Sequence, residues 1–298
     1  MQRLLQNGLV MSSRDHGLQG WLRERLGDRE PSQGALKVLR ALTSHAQAMS
    51  YASTADAAAL AGVNVATVVR AAQLLGFTGW PALRAEARSR YLSGLSASEV
   101  LSEHAASAES PAWAAVRGDL RNLQELSQML DQAQIERVAR LIHDARTTVV
   151  LGSGSFAAPG LQLAHIAQTV GYDVRLHREG GTALLNATSG LGEGDCVVVF
   201  RLWRSPTEIM NAAGVAADCG ARVVVVTDQS SKDVLELADE LVLVPSEGAS
   251  MFPSLTAPVT IVHAVLASLI ALDEDRARRS SDRAEALWTR FGLFPGAS

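Results

Sequence analysis

Residues 53–76 read STADAAALAGVNVATVVRAAQLLG, and their spacing predicts two short helices joined by a tight turn. Ser53 or Thr54 caps the first helix, because a hydroxyl accepts from a free N–H of the first turn. Ala57, Ala58 and Ala61 give that helix a flat, small-residue face. Gly62 sits where the chain must turn, and a residue without Cβ does so at least cost. Asn64 caps a second helix over Val65–Leu75, and Gly76 is its stop signal. Val63, Val68 and Ala71 fall on the side facing the alanines. Asn64, Thr67, Arg70 and Gln73 fall on the outer side, at spacings of three. This is the layout of a helix-turn-helix, whose second helix enters the major groove of DNA. A plain alanine-rich hairpin shares the small-residue face, but here the turn glycine and polar outer face agree with it independently.

Around this stretch, 298 residues are enough for two domains, each with its own core. The net charge of -4 conceals an asymmetry: residues 1–92 hold 11 Lys+Arg against 6 Asp+Glu, and the rest holds 16 against 25. A basic first third on an acidic body fits a DNA-binding head on a separate module. No stretch reaches the roughly 18 apolar residues of a membrane span. The closest, Val259–Leu272, is interrupted by Thr260, His263 and Ser268. No signal peptide is read at the N-terminus. Cys196 and Cys219 form neither a metal spacing nor a disulfide framework, which fits a reducing cytoplasm. No membrane partner, metal or cofactor is expected.

Residues 1–15 are poorly patterned and are read as a mobile start. Leu18, Trp21, Leu22, Arg25 and Leu26 predict a helix, which Pro31 breaks. Leu36, Val38, Leu39 and Leu42 predict the next. After Gly76, Phe77 and Trp80 flank a turn, and Pro81 opens a helix at a position proline tolerates. Arg84, Arg88 and Arg90 make that helix basic, and Arg84 and Arg88 are candidates for holding DNA phosphates. The expected organisation is an all-α helix-turn-helix domain over 16–92, a Ser/Ala/Glu-rich link over 93–111, and a body over 112–290.

In the body, after two helices near 112–130 and 134–145, strands alternate with helices. Strands are expected at 147–152, 171–177, 195–200, 221–228 and 240–245. Helices are expected at 156–170, 183–189, 206–219, 234–238, 255–272 and 276–290. Leu151 to Gly171 and Phe200 to Gly220 repeat one plan over 20 residues each: apolar strand, polar loop, helix, glycine, next strand. Repeated right-handed βαβ units build a doubly wound parallel sheet, which binds ligands outside the C-terminal ends of its strands. The loops to inspect are therefore 152–155 and 201–205.

The first loop, Gly152-Ser153-Gly154-Ser155, opens a helix and offers close backbone approach, free N–H groups and two hydroxyls to a phosphate or carboxylate. It lacks the full dinucleotide fingerprint, since Ala158 stands where a third glycine could be. In the second loop, Ser205, Pro206 and Glu208 read as a capping box. That places Arg201 and Arg204 just before a helix N-terminus, where two guanidinium groups repel unless an anion joins them. Pairing with Glu179 or Glu247 is the competing reading.

The chain resembles the RpiR/MurR transcriptional regulators over about 20–290. AGVNVATVVRAAQLLGFTGWPALR, residues 61–84, is similar to that family's AGVS-x-ATVVR-x-x-x-x-LGF-x-G[FW]-x-x-LR signature. The body resembles the family's sugar isomerase (SIS) domain, a flavodoxin-like α/β fold with a five-stranded parallel sheet that binds phosphosugars. Gly152, Gly154 and Ser155 match its first loop, and Thr227 and Asp228 match a later strand end. The resemblance implies a dimeric or tetrameric cytoplasmic regulator that binds double-stranded DNA and responds to a sugar phosphate or related metabolite. One departure bears on the effector. The family's second loop usually reads Ser-x-Ser-Gly-x-Thr, whereas Arg201-Leu202-Trp203-Arg204 stands here. A different anion, such as a carboxylate, or a site that has lost its ligand, both fit that change.

Two functions follow. In the first, each head reads one half-site of a roughly palindromic operator through Asn64, Thr67, Arg70 and Gln73. Ser153, Gly154, Ser155, Arg201, Arg204 and Ser205 then hold the small anionic effector. The alternative is an aldose–ketose phosphate isomerase, since the fold also hosts that chemistry. Glu247, His177 or His263 would be its base.

Overall fold

The computed structural model describes residues 15–105, 110–203 and 205–294. They fall into two compact units, one reaching to Ala114 and including Ser250–Phe252, the other formed by Ala115–Ala249 and the chain from Pro253. The expected mobile start, residues 1–14 of it, lies outside the described residues.

The first unit is helical: α1 (Asp15–Leu26), α2 (Gln33–Ser44), α3 (Ala46–Tyr51), α4 (Thr54–Ala61), α5 (Val65–Leu74), α6 (Trp80–Ser93) and α7 (Ala97–Ala105). The axes of α4 and α5 turn through 95°, within the range of a helix-turn-helix. Ser53, not Thr54, is the cap of α4, accepting from Asp56 N–H at 3.2 Å and donating to Asp56 Oδ2 at 2.6 Å. Gly62 takes φ 62°, and the next amide, Val63 N–H, closes the helix end onto Ala58 O at 2.9 Å. Asn64 caps α5 through Thr67 N–H at 2.9 Å. Ala57, Ala58, Val68, Ala71, Ala72 and Leu75 are buried where α4 and α5 meet α2.

Polar groups lock this unit together. The buried Glu86 carboxylate of α6 accepts from Arg90 at 2.8 and 3.1 Å and faces Arg25 of α1 at 3.7 Å. Arg29 donates to Arg25 O and Leu26 O at the end of α1 and to Leu74 O at the end of α5. A cation at helix C-termini satisfies carbonyls that have no intrahelical partner. Half of the expected link is α7, and Val100 in it packs on Leu92 and Leu95.

The second unit begins within α8 (Pro111–Met129), followed by α9 (Gln132–Asp144). The alternating part then runs β1 (Thr148–Leu151), a 3-10 turn (Gly154–Ala157), α10 (Ala158–Thr169), β2 (Val174–His177), α11 (Gly181–Thr188), β3 (Cys196–Arg201), α12 (Thr207–Asp218), β4 (Arg222–Thr227), α13 (Lys232–Leu237) and β5 (Glu240–Leu243). Helices α14 (Thr256–Leu272) and α15 (Glu274–Phe291) close the chain. The five strands are all parallel, in the order β2-β1-β3-β4-β5. The order reverses between β1 and β3, which makes that junction the switch point of a flavodoxin-like sheet.

Side chains alternate across each strand, so the sheet has two cores. Val150, Val198, Phe200, Val224 and Val226 pack under α9, α10 and α14. Val149, Leu151, Val197, Val199, Val223 and Val225 pack under α11, α12 and α13. Near-continuous apolar strands are what a sheet covered on both faces requires. The 20-residue repeat is physical: α10 and α12 both end with an amide reaching back five residues, Tyr172 N–H to Ala167 O at 2.9 Å and Ala221 N–H to Ala216 O at 3.0 Å. Gly160 lets α10 sit on the sheet, since a Cβ there would lie 2.8 Å from Val150 Cγ1. No single described helix is long and apolar enough to cross a membrane.

Candidate nucleic-acid interface and ligand crevice

On the first unit, α5 presents Asn64, Arg70 and Gln73 to solvent and leaves Thr67 half-buried. Thr67 is held because α2 crosses it closely: a Cβ on Gly34 would lie 2.8 Å from the Thr67 methyl. Its hydroxyl donates to Asn64 Oδ1 at 2.9 Å and accepts from Arg70 Nη2 at 3.1 Å. Asn64, Thr67 and Arg70 thus form one relay along the outer face, and Arg70 leans back toward the start of its helix. Val65, 48% exposed, and Ala66, exposed, stand at that leading end. Their apolar character excluded them from a reading based on polar spacing.

The two arginines expected to hold phosphates are engaged within the unit. Arg88 is only 5% exposed, with its guanidinium over the Tyr51 ring at 5.7 Å. Arg84 donates to Ala52 O at 3.2 Å, the same carbonyl that accepts Trp80 Nε1–H at 3.0 Å. Both arginines dock α6 against the segment before α4, Arg88 buried and Arg84 half-buried. Helical periodicity put them on α6, but only packing shows that α6 buries that side.

In the second unit, the loops after β1 and β3 lie side by side at the switch point, since Leu151 pairs with Val199 in register. The first loop enters the 3-10 turn before α10, so the expected helix opening is one turn late. Ser153 is half-buried and Gly154 and Ser155 are exposed. The first amides of such a turn have no intrahelical acceptor.

Strand alternation sends Arg201 to the face of α11 and α12 and buries Leu202 on the opposite face. Arg201 Nη1 donates to Gln229 O at 3.3 Å, a carbonyl that also accepts from Thr227 Oγ1 at 2.9 Å. None of the described carboxylates lies within ion-pair distance of Arg201, neither Glu179 nor Glu247 among them. Trp203 takes φ 53°, a conformation that costs a non-glycine residue energy and needs an anchor. Asp228 supplies it: its carboxylate accepts Trp203 N–H at 3.1 Å and Ser246 Oγ–H at 2.7 Å. The second loop is therefore held by β4 and the chain after β5, through residues far apart in sequence. Arg204 lies outside the described residues.

The expected capping box is not formed. Helix α12 starts at Thr207 with Pro206 as its cap residue and no side-chain cap bond, leaving Ser205 half-buried just before it. Glu208 instead accepts from Gly181 N–H at 3.1 Å, at the start of α11. A carboxylate between two helix N-termini interacts favourably with both dipoles.

The three residues proposed for isomerase chemistry are scattered. His177 ends β2 at one edge of the sheet, whereas Glu247 follows Ser246, whose hydroxyl reaches Asp228 just after β4. His263 is exposed on α14, its Nε2 at 2.7 Å from Gln162 Nε2.

Residues 30–93 match the helix-turn-helix domain of the rpiR family. Over 249 residues the chain is 24% identical to the HTH-type transcriptional regulator RpiR of Escherichia coli K12, spanning 81% of this chain and 82% of that one. The sugar isomerase domain of the RpiR transcription factor from Sphaerobacter thermophilus aligns with a TM-score of 0.56 at 23% identity, covering 59% of this chain and 98% of that domain. The NanR protein of Vibrio vulnificus, solved with ManNAc-6P, aligns with a TM-score of 0.58 at 18% identity, covering 94% and 100%.

Proposed function

We infer that this chain, which belongs to the RpiR family of helix-turn-helix transcriptional regulators, reads a roughly palindromic operator as a homodimer or homotetramer. A small anion held at the body's switch point controls it. The observation that carries the reading is the 95° helix pair with Arg70 and Gln73 exposed on its second helix. Such a helix reaches base edges, and two-fold assembly turns one half-site into a palindrome. The likeness to the Escherichia coli regulator supports it, and its place of action is the cytoplasm.

For the effector we propose a phosphosugar or a related carboxylate or phosphate. Ser153, Gly154 and Ser155 supply N–H and O–H donors, Arg201 and Arg204 supply charge, and Ser205 closes the loop. The NanR protein was solved with a sugar phosphate, ManNAc-6P, which supports an anionic effector. The likeness to a transcriptional regulator favours this reading over isomerase activity.

The test is retention of sheared source DNA by the purified protein at low and moderate salt, with the retained fragments sequenced. The expected result is one shared inverted motif that survives moderate salt. Retention at low salt alone, with no motif, overturns the reading, since phosphate contacts by themselves are salt-sensitive and sequence-blind.

A further inference from the structure

We propose that Val65, with Ala66 beside it, reads the C5-methyl group of a thymine in each half-site. The inference rests on the regulator reading above and adds a specificity-determining residue that polar spacing did not reveal. Two of the four expected polar readers are already engaged. Asn64 Oδ1 accepts both the Thr67 N–H and the Thr67 hydroxyl, each at 2.9 Å. The Thr67 hydroxyl also accepts from Arg70, and its methyl lies against Gly34. What α5 leaves for base edges is the N–H groups of Arg70 that Thr67 does not take, Gln73 and the apolar step Val65–Ala66.

That step stands at the leading end of the helix, which in this fold enters the groove first. A valine 48% exposed there has no cap or core role to explain it. Thymine alone among the bases presents a methyl group in the major groove, and apolar side chains recognise it. The lean of Arg70 toward Thr67 brings its guanidinium over the turn that holds Ala66. A guanine read by Arg70 through O6 and N7 therefore falls within one or two base pairs of the thymine.

The experiment uses the full chain. A binding site is selected from a random double-stranded DNA pool, and each thymidine in it is replaced in turn by deoxyuridine, which removes only the methyl. The expected result is a roughly three- to fivefold loss of affinity at one thymine per half-site, the effect of burying one methyl group. Val65→Ala is expected to bind the thymine and uracil versions equally. A wild-type protein indifferent to every replacement overturns the proposal. So does a Val65→Ala protein that keeps the full penalty. Methyl insensitivity on a well-defined motif removes this inference alone, whereas a pool that yields no motif removes the regulator reading and this inference with it.

Discussion

Arg70 is the residue on which the proposed reading of DNA sequence rests. It is exposed and, among the described residues, bonded only to Thr67 Oγ1, so its removal leaves the core intact. Arg70→Ala is expected to weaken operator binding by about 10- to 100-fold, the worth of a bidentate arginine–guanine contact. Its thermal midpoint is expected to stay within experimental scatter of the parent; binding titrations beside melting curves check both halves. In the second unit, the double variant Arg201→Ala, Arg204→Ala is expected to keep operator binding and lose release by anions. Titrating a panel of sugar phosphates and carboxylates into the operator complex checks it, and full response would place the sensor elsewhere. The cysteines give a third residue-level expectation. Burial pushes the Cys196 thiol up to about 12, and Cys219 is exposed. A thiolate reagent at neutral pH is expected to label one thiol in the native protein and both in denaturant.

Elements here are set by close approaches as much as by propensity. Gly34 in α2 is the sharpest case, because alanine is normally worth about 0.5–1 kcal/mol over glycine inside a helix. A Cβ at 2.8 Å from the Thr67 methyl reverses that gain, since a β-branched side chain has little rotamer freedom with which to yield. Gly34→Ala is expected to destabilise the protein by about 1 kcal/mol or more, in the range of mild overpacking. In a Thr67→Ser background, which keeps the hydroxyl relay and removes the methyl, the same change is expected to stabilise. Denaturant unfolding of the four proteins in that cycle gives the coupling directly. The relay and the fit of α2 are then one structural feature, which is why α5 presents its outer face in one fixed arrangement.

For the molecule as a whole, acid sensitivity follows from two carboxylates at the N-terminal ends of the body's strands. Asp195 is buried, which by itself raises its pKa. The bidentate Arg146 at 2.7 and 3.1 Å, together with Gly192 N–H at 3.0 Å, outweighs this and lowers it. Asp173 is lowered by its bonds to Arg175, against some burial, with help from Thr147. A carboxylate whose folded pKa lies below its unfolded value stabilises the fold fully above the unfolded pKa, about 3.9. That stability is lost as pH falls through the folded value. Melting temperature is therefore expected to drop steeply below about pH 4. Asp195→Asn is expected to be less stable at neutral pH, by about 1–3 kcal/mol for a buried charged acceptor, and to lose less of its stability on acidification. Melts across pH 2.5–7 for both proteins check it.

The helix-turn-helix and the order of strands were legible in the linear chain because their signals are local. A cap, a turn glycine and the alternation of apolar residues act within a few positions, so Ser53, Gly62, Asn64 and the valine-rich strands announced their elements. The repeat of 20 residues likewise announced parallel βαβ units and singled out the loops after β1 and β3, which lie side by side. What the linear chain did not decide is which side of an amphipathic helix is covered, and by what. Arg84 and Arg88 sit on a helix face that looks basic in sequence and is turned inward by Ala52 and Tyr51. Glu208 has the spacing of a capping residue and answers instead to Gly181, 27 residues earlier. Asp228 and Ser246 hold the Trp203 loop across two strands. Each of these depends on groups brought together by chain closure over tens of residues, where sequence spacing carries no information and packing selects the partner. The sequence by itself determined the elements and the strand-end loops proposed for the effector; the tertiary structure decided which charged side chains are turned inward, because only packing selects their partners.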